Sequence, residues 1–305
     1  MPFVSIRAIV SRYKALTEFC MRIHKVNPFI LLFVATLTSL SAYACIGDET
    51  AERSHSIHIV PQLPPAATFS RWAPLLEKIG QKAGLCFDLV IPDSISAFET
   101  VLWSGKTDFA FSNPYHEVVA KKRKGYVPLL IDSRSRLSGL VVVRSDSGIQ
   151  NVKQLNGKEM AFPSPNAFAA SLLIRAELAK QGINIFPKYL KTHANVYRSV
   201  AVGDVVAGGG VNNTLMREEE GLRKSLRVIY ETDTYAPHPM VVHPRVPRKV
   251  RSRFTAAVLD LAKDSTGQAL LDAVQMPAPV TADYRRDFFP LEKLPLERLA
   301  VLYAD

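Results

Sequence analysis

The side chains able to do chemistry sit where apolar runs hand over to helical patterns. Ser112, Asn113 and Tyr115 fall in FAFSNPYHEVVAKK (109–122), and Asn166 in AFPSPNAFAAS (161–171). His193 lies in KTHANVYRSV (191–200), and Asn212 and Asn213 in AGGGVNNTL (207–215). His238 stands between prolines in YAPHPMVV (235–242). These are neutral donors and acceptors. The first N–H groups of a helix lack intrahelical partners and carry the positive end of its dipole, so such junctions suit small anions. The junction after Asn166 offers mainly backbone, because Ala167, Phe168, Ala169 and Ala170 follow it. Each group also has a purely structural reading: Asn113 and Asn166 as helix caps, His193 as a hydrogen-bonded cap. The glycines of AGGGVNNTL are not followed by Gly-Lys-Ser/Thr, so they point to a tight turn or a close backbone approach rather than a phosphate loop. No Gly-x-Ser-x-Gly, His-Glu-x-x-His or Gly-x-Gly-x-x-Gly occurs, and no Cys/His cluster has metal-site spacing. Neither an enzyme, a metal nor a cofactor is expected.

The elements that must hold these groups alternate. Strands are expected at 56–60, 86–91, 107–111, 126–131 and 139–144, and again at 158–162, 186–191, 204–209, 225–232 and 239–243. Between them lie helical patterns. Trp72, Leu75, Leu76 and Ile79 share one helix face, and Asn113-Pro114 opens another helix as cap and first residue. Helices follow at 95–104, 167–180, 194–203 and 212–220, and Phe254, Ala257, Val258, Leu261 and Ala262 mark a closing one. Such alternation argues for α/β architecture with mainly parallel sheets. Crossings near 133–139 and 232–238 would let the chain leave one lobe and return.

The leader is legible too. Pro28–Leu40 is apolar over a length short of a membrane span, follows Arg22 and Lys25, and precedes Ala42-Tyr43-Ala44, a small-x-small cleavage pattern. Residues 1–44 read as a secretory signal peptide, with Met21 as an alternative start. Of 305 residues, 38 are basic and 28 acidic. Removing the five basic groups and one acidic group of the leader leaves 33 against 27, a balance of +6. No arginine-rich stripe is interleaved with aromatics, so nucleic acid is not an expected partner. Cys20 departs with the leader. Cys45 and Cys86 remain, and a disulfide, a lipidated Cys45 or two free thiols all stay open.

In order and spacing, SGKTDFAFSNPYHEV, GLVVVRSDSGIQNVKQLNGKEMAFPSPNAFAASLL, THANVYRSVAVGDVVAG, NNT and APHPMVV resemble the periplasmic substrate-binding proteins of phosphate, phosphite and phosphonate ABC transporters. The similarity spans about 56–275. It implies a two-lobed type II periplasmic binding fold: 45–136 as the first part of lobe 1, 137–234 as lobe 2, and 235–305 as the return to lobe 1. It implies a monomeric, non-enzymatic protein that closes on a small anion, a phosphate- or phosphonate-like oxyanion, and passes it to an inner-membrane permease. Ligand contacts are implied for Ser112, Asn113, Tyr115, Asn166, Ala167, Phe168, Ala169, His193, Asn212, Asn213 and His238. The family's Ser-Thr-Ser-Gly turn corresponds to Ala167–Ala170, which keep backbone donors and lose the hydroxyls. The acid after Asn-Asn-Thr is Leu215 here, and the acid of the return loop is His238. Without those carboxylates an aminoalkylphosphonate is disfavoured. The alternative is an exported sensing module that docks on a membrane receptor or sensor kinase.

Overall fold

The computed structural model describes residues 45–301. The leader, its cleavage pattern and the alternative start at Met21 lie outside the described residues. Two mixed sheets with flanking helices form the described chain. The first contains β1 (Ile46–Gly47), β2 (Ser54–Ile59), β3 (Cys86–Val90), β4 (Phe109–Phe111), β5 (Val127–Asp132), β11 (Met240–Val242) and β12 (Pro279–Thr281), in the order β1-β3-β2-β4-β11-β5-β12. The second contains β6 (Gly139–Arg144), β7 (Lys158–Phe162), β8 (Ile185–Tyr189), β9 (Ala207–Val211) and β10 (Leu226–Glu231), in the order β10-β6-β9-β7-β8. The chain crosses between them after Asp132 and returns after Glu231. There Leu137 and Tyr235 pair as an antiparallel bridge, each N–H donating to the other's carbonyl at 3.0 and 2.9 Å.

The expected α/β, two-lobed architecture is present, but the sheets are not mainly parallel. β2 runs parallel to β3 and β4, and β7 parallel to β8 and β9. β11 lies antiparallel between β4 and β5, and β6 antiparallel between β9 and β10. The reason is the double crossing: a strand that re-enters a sheet from the other lobe arrives pointing the opposite way. Short apolar runs such as FAF and MVV fit central strands of either direction, so the alternation of elements could not reveal this.

Helix α1 (Pro65–Ala83) buries the face carrying Trp72, Leu75, Leu76 and Ile79, starts with proline in its first turn, and ends at Gly84 in the left-handed conformation. Helix α2 (Ile95–Trp103) and helix α3 (Pro114–Lys124) pack together beside the first sheet. The apolar core of the first sheet runs without a break into Ala167–Ala170, Leu172, Leu173 and Val211 of the second lobe. Two smaller apolar clusters, around Val141 and Phe162 and around Val142 and Tyr197, cover the faces of the second sheet.

Cys45 and Cys86 form a disulfide with their Cα atoms 5.6 Å apart, where β1 pairs with β3. Of the three possibilities open in the sequence, the thiol of Cys45 takes this one. A sulfur in a disulfide is not available for thioether lipidation.

Candidate functional site

The carboxyl ends of β2 and β4 open onto the junction of the lobes. A cavity of about 20 Å³ lies there, lined from lobe 1 by Val60, Gln62, Ile95 and Asn113, from lobe 2 by Ala167–Ala170, His193 and Val211, and from the crossings by Leu137 and His238. That volume is on the scale of one water. No lysine, arginine, aspartate or glutamate lines it.

Asn113 caps α3. Its Oδ1 accepts from the His116 N–H at 2.8 Å, and its Nδ2 reaches across the lobes to the Asn166 carbonyl at 3.2 Å. Ser112 is fully buried. Its N–H donates to the Pro239 carbonyl at 3.0 Å, and its Oγ has no hydrogen-bond partner among the described residues. Tyr115 is buried, its hydroxyl has no partner among the described residues, and burial pushes the phenol up to about 12. Neither Ser112 nor Tyr115 lines the cavity.

The stretch after Asn166 departs most from expectation. Asn166 is not the helix cap. Its side chain crosses to lobe 1, where Nδ2 donates to Glu99 Oε2 at 3.1 Å and to the Val301 carbonyl at 2.7 Å, while Oδ1 accepts from the Val301 N–H at 2.9 Å. Ala167 stands at the cap position with no side-chain bond, and Phe168–Leu173 form a π-helix that continues into α4 (Ile174–Lys180). The Ala167 carbonyl accepts from both Ser171 at 2.8 Å and Leu172 at 3.2 Å. The wide turn drives its carbonyls into the second sheet. A Cβ on Gly139 would stand 2.2 Å from the Ala169 oxygen, and one on Gly209 only 2.1 Å from the Ala170 oxygen. The glycines of AGGGV therefore serve close backbone approach, one of the two roles their sequence context suggested. Phe168, Ala169 and Ala170, whose first-turn N–H groups precede the first donor of the helix, Ser171, line the cavity. Phe168 is buried and meets Tyr235 edge-on at 5.6 Å.

His193 is the first residue of α5 (His193–Val202), whose cap is Thr192. Its Nδ1 is buried without a partner among the described residues, and burial holds its pKa down to about 4. His238 stacks on Phe111 at 5.6 Å. Burial, reinforced by the nearby His116 and His193, holds it down to about 3. Both rings are therefore neutral at pH 7. A relay of amides approaches His238. Asn213 Nδ2 donates to Gln275 Oε1 at 2.7 Å, Gln275 Nε2 to Gln62 Oε1 at 3.0 Å, and Gln62 Nε2 to His238 Nε2 at 2.7 Å. With Nε2 accepting, the neutral ring carries its proton on Nδ1.

Asn212 and Asn213 open the short helix α6 (Asn212–Leu215) but do not line the cavity. Asn212 Nδ2 donates to the Arg136 carbonyl at 2.8 Å and ties down the first crossing. Asn213 acts through the relay. Leu215 packs against the apolar cluster around Tyr197. Of the side chains singled out in the sequence, the structure gathers Asn113, Ala167, Phe168, Ala169, His193 and His238 around one cavity. It adds Val60, Gln62, Ile95, Leu137, Ala170 and Val211. Gln62 was within reach of sequence reasoning, since it follows the end of β2 as Asn113 follows β4. Glu99 was not, because its partner is 67 residues away.

The geometry defines a two-lobed α/β protein with a small cavity where the lobes meet. The family model for periplasmic substrate-binding proteins of phosphonate ABC transporters matches residues 57–287, and the chain belongs to that family. Its role is thus that of a solute-binding protein of an ABC importer, not the sensing module held as the alternative. Solved structures share the fold at low identity. A binding-protein component of a phosphonate ABC transporter from Pseudomonas aeruginosa is 14% identical, with TM-score 0.71 over 81% of this chain and 87% of that one. PhnD1 of Prochlorococcus marinus, in complex with methylphosphonate, is 14% identical, with TM-score 0.71 over 80% of this chain and 98% of that one. A Xanthomonas citri protein bound to chloride is 18% identical, with TM-score 0.69 over 81% and 98%.

Proposed function

We propose that the protein captures a compact, amine-free oxyanion of the phosphate or phosphonate type between its lobes and releases it to an inner-membrane permease without chemical turnover. The observation that carries this reading is the donor set at the cavity. Phe168–Ala170 with their first-turn N–H groups, the Asn113 side-chain amide, a ring nitrogen of His193 and the Nδ1–H of His238 belong to residues that line it, with no carboxylate among them. A buried anion needs several hydrogen-bond donors to offset its lost hydration, and it does not need a full counter-charge. A ligand ammonium would need a carboxylate, and the positions where one is expected hold Leu215 and His238. Methylphosphonate in the Prochlorococcus marinus relative supports the same head-group chemistry. The small cavity implies that the lobes part as a ligand enters.

The same reading places the protein in the periplasm as a monomer, cleaved before Cys45, with no role for nucleic acid. Ser112, Tyr115, Asn166, Asn212 and Asn213 serve the site by positioning, and the cavity-lining groups make the contacts. Mass spectrometry of ligand co-purified with the folded protein, followed by calorimetric titration, tests it. Phosphate, phosphite or methylphosphonate should bind, and 2-aminoethylphosphonate should bind more weakly. Tighter binding of the amine-bearing ligand, or no binding of any of the four, would overturn the proposal.

A further inference from the structure

We propose that the end of lobe 1 remote from the cleft is a docking face for anionic lipid headgroups of the membrane surface. The strands of the first sheet set the geometry. β2, β3 and β4 begin at one end, near Arg53, Cys86 and Lys106, and finish at the cleft near Val60 and Asn113. β11 runs the other way, so the segment after Val242 returns to the remote end and supplies Arg245, Arg248, Lys249, Arg251 and Arg253.

Contacts gather these cations into one surface. The Lys124 side chain packs over Gly105, beside His243. Arg245 binds the Gly105 carbonyl and, at 2.6 Å, Asp108. Arg251 binds the Pro244 carbonyl. Arg53, Lys249 and Arg253 rim a single surface depression of about 550 Å³, together with Asp48 and Glu52. The acids on this face are few. Asp108 is already shared between His55 and Arg245, which leaves Asp48, Glu49, Glu52 and Asp88 against seven cations, Arg53, Lys106, Lys124, Arg248, Lys249, Arg251 and Arg253. The cations are felt locally: after burial, the charge of Arg245, opposed by that of Asp108 and joined by those of Arg251 and Lys124, helps to lower the pKa of His243.

Folding does not call for this arrangement. Helix α7 (Arg248–Leu261) begins with Arg248, Lys249 and Arg251 and has no acid in its first turn, so like charge crowds the positive end of the helix dipole. Arg248, Lys249 and Lys106 are exposed. A face selected for stability alone would carry acids at that position. A dense basic surface suits an extended, screened negative potential such as that of anionic lipid.

The test uses protein purified from the periplasmic fraction and large vesicles of phosphatidylcholine, with or without about one third phosphatidylglycerol. Co-sedimentation should favour the anionic vesicles, and the preference should fade as salt shortens the screening length. Each removed cation should weaken partitioning by about fivefold, so K106Q/R248Q/K249Q should lose about a hundredfold. The matched lobe 2 variant, K153Q/K158Q/K180Q, has the same net charge and should bind like the parent. Thermal melting of both variants should stay at the parent value, which separates lost docking from lost folding. Equal sedimentation with both vesicle types, or equal losses in the two triple variants, would overturn the proposal. So would binding to an acidic polypeptide matrix with no binding to anionic vesicles, which assigns the face to a protein partner. None of these outcomes bears on ligand capture at the cleft.

Discussion

Acidification should destabilise this protein through its two cleft histidines. An unfolded histidine titrates near 6.5. His193 is held down to about 4 and His238 to about 3 by burial. Below pH 6.5 the unfolded chain takes up protons that the folded chain refuses, so stability is full above that value and falls as the pH drops toward the folded pKa. At pH 5 each unfolded ring is almost wholly protonated and each folded ring almost wholly neutral, which costs about 2 kcal/mol per histidine relative to pH 8. The two rings also repel each other when charged, so the pair should lose about 4 kcal/mol at most. For a unit of this size that is a drop in Tm of roughly 8–16 °C. The assay is urea denaturation of the parent, H193Q, H238Q and the double variant at pH 8 and pH 5. Each single substitution should remove about 2 kcal/mol from the difference between the two pH values, whatever it does to stability at pH 8. His58, also held down to about 4 by burial, remains in every variant and cancels in the comparison. Parallel pH dependences for parent and double variant would refute the reasoning, because they would mean that neither ring is buried neutral. A saturating oxyanion should shrink the parent's pH dependence, since a negative charge in the cavity raises both histidine pKa values.

Ala167→Ser combined with Ala169→Ser restores hydroxyls at the cavity wall. By calorimetry it should tighten oxyanion binding, with each new charge-assisted hydrogen bond worth about 1.5–3 kcal/mol. Gly209→Ala would set a Cβ 2.1 Å from the Ala170 oxygen. It should cost about 1–3 kcal/mol in chemical denaturation and disturb the loop as it does so. Asn166→Ala should weaken closure by removing the bonds to Glu99 and Val301 across the lobes, which small-angle scattering would read as a larger radius in the same buffer.

The fold was largely readable because each element carries its own signal. The helix face of Trp72, Leu75, Leu76 and Ile79 and the Asn113-Pro114 opening are local patterns, and local patterns survive into the structure. Strand direction was not readable. It depends on which lobe a strand returns from, and MVV at 240–242 looks the same either way. The candidate site was legible where a polar residue follows a strand, as at Asn113, and illegible where a pair is made across the lobes. Asn166 satisfies every local rule for a cap. It is drawn off by Glu99 and by the Val301 backbone, partners with no trace in its own neighbourhood. Cys45 shows the same limit: its spacing from Cys86 left three chemistries open, and only the pairing of β1 with β3 brings the sulfurs together.

The loss of hydroxyls at 167–170 and the glycines at 139 and 209 belong to one design. A π-turn accommodates an extra residue and pushes its carbonyls outward, which is tolerable only where the facing sheet has no side chains. Gly139 and Gly209 clear that space for the oxygens of Ala169 and Ala170. Once the Ala169 carbonyl points into the sheet, the N–H at the other end of the same peptide unit, that of Ala170, is turned away from the sheet, while the N–H opposite the Ala170 carbonyl, that of Ser171, is already bonded to the Ala167 carbonyl at 2.8 Å. A ligand-gripping turn of hydroxyls adds donors that can rotate. Here Ala167–Ala170 are almost wholly buried and the backbone is fixed between two glycines and the core of lobe 1. Donors held in place lose little entropy when a ligand arrives, which offsets part of what the missing hydroxyls would contribute. On this argument the glycines, one layer behind the lining residues Ala169 and Ala170, should bear on ligand affinity through the orientation of the turn, although they are not among the residues that line the cavity.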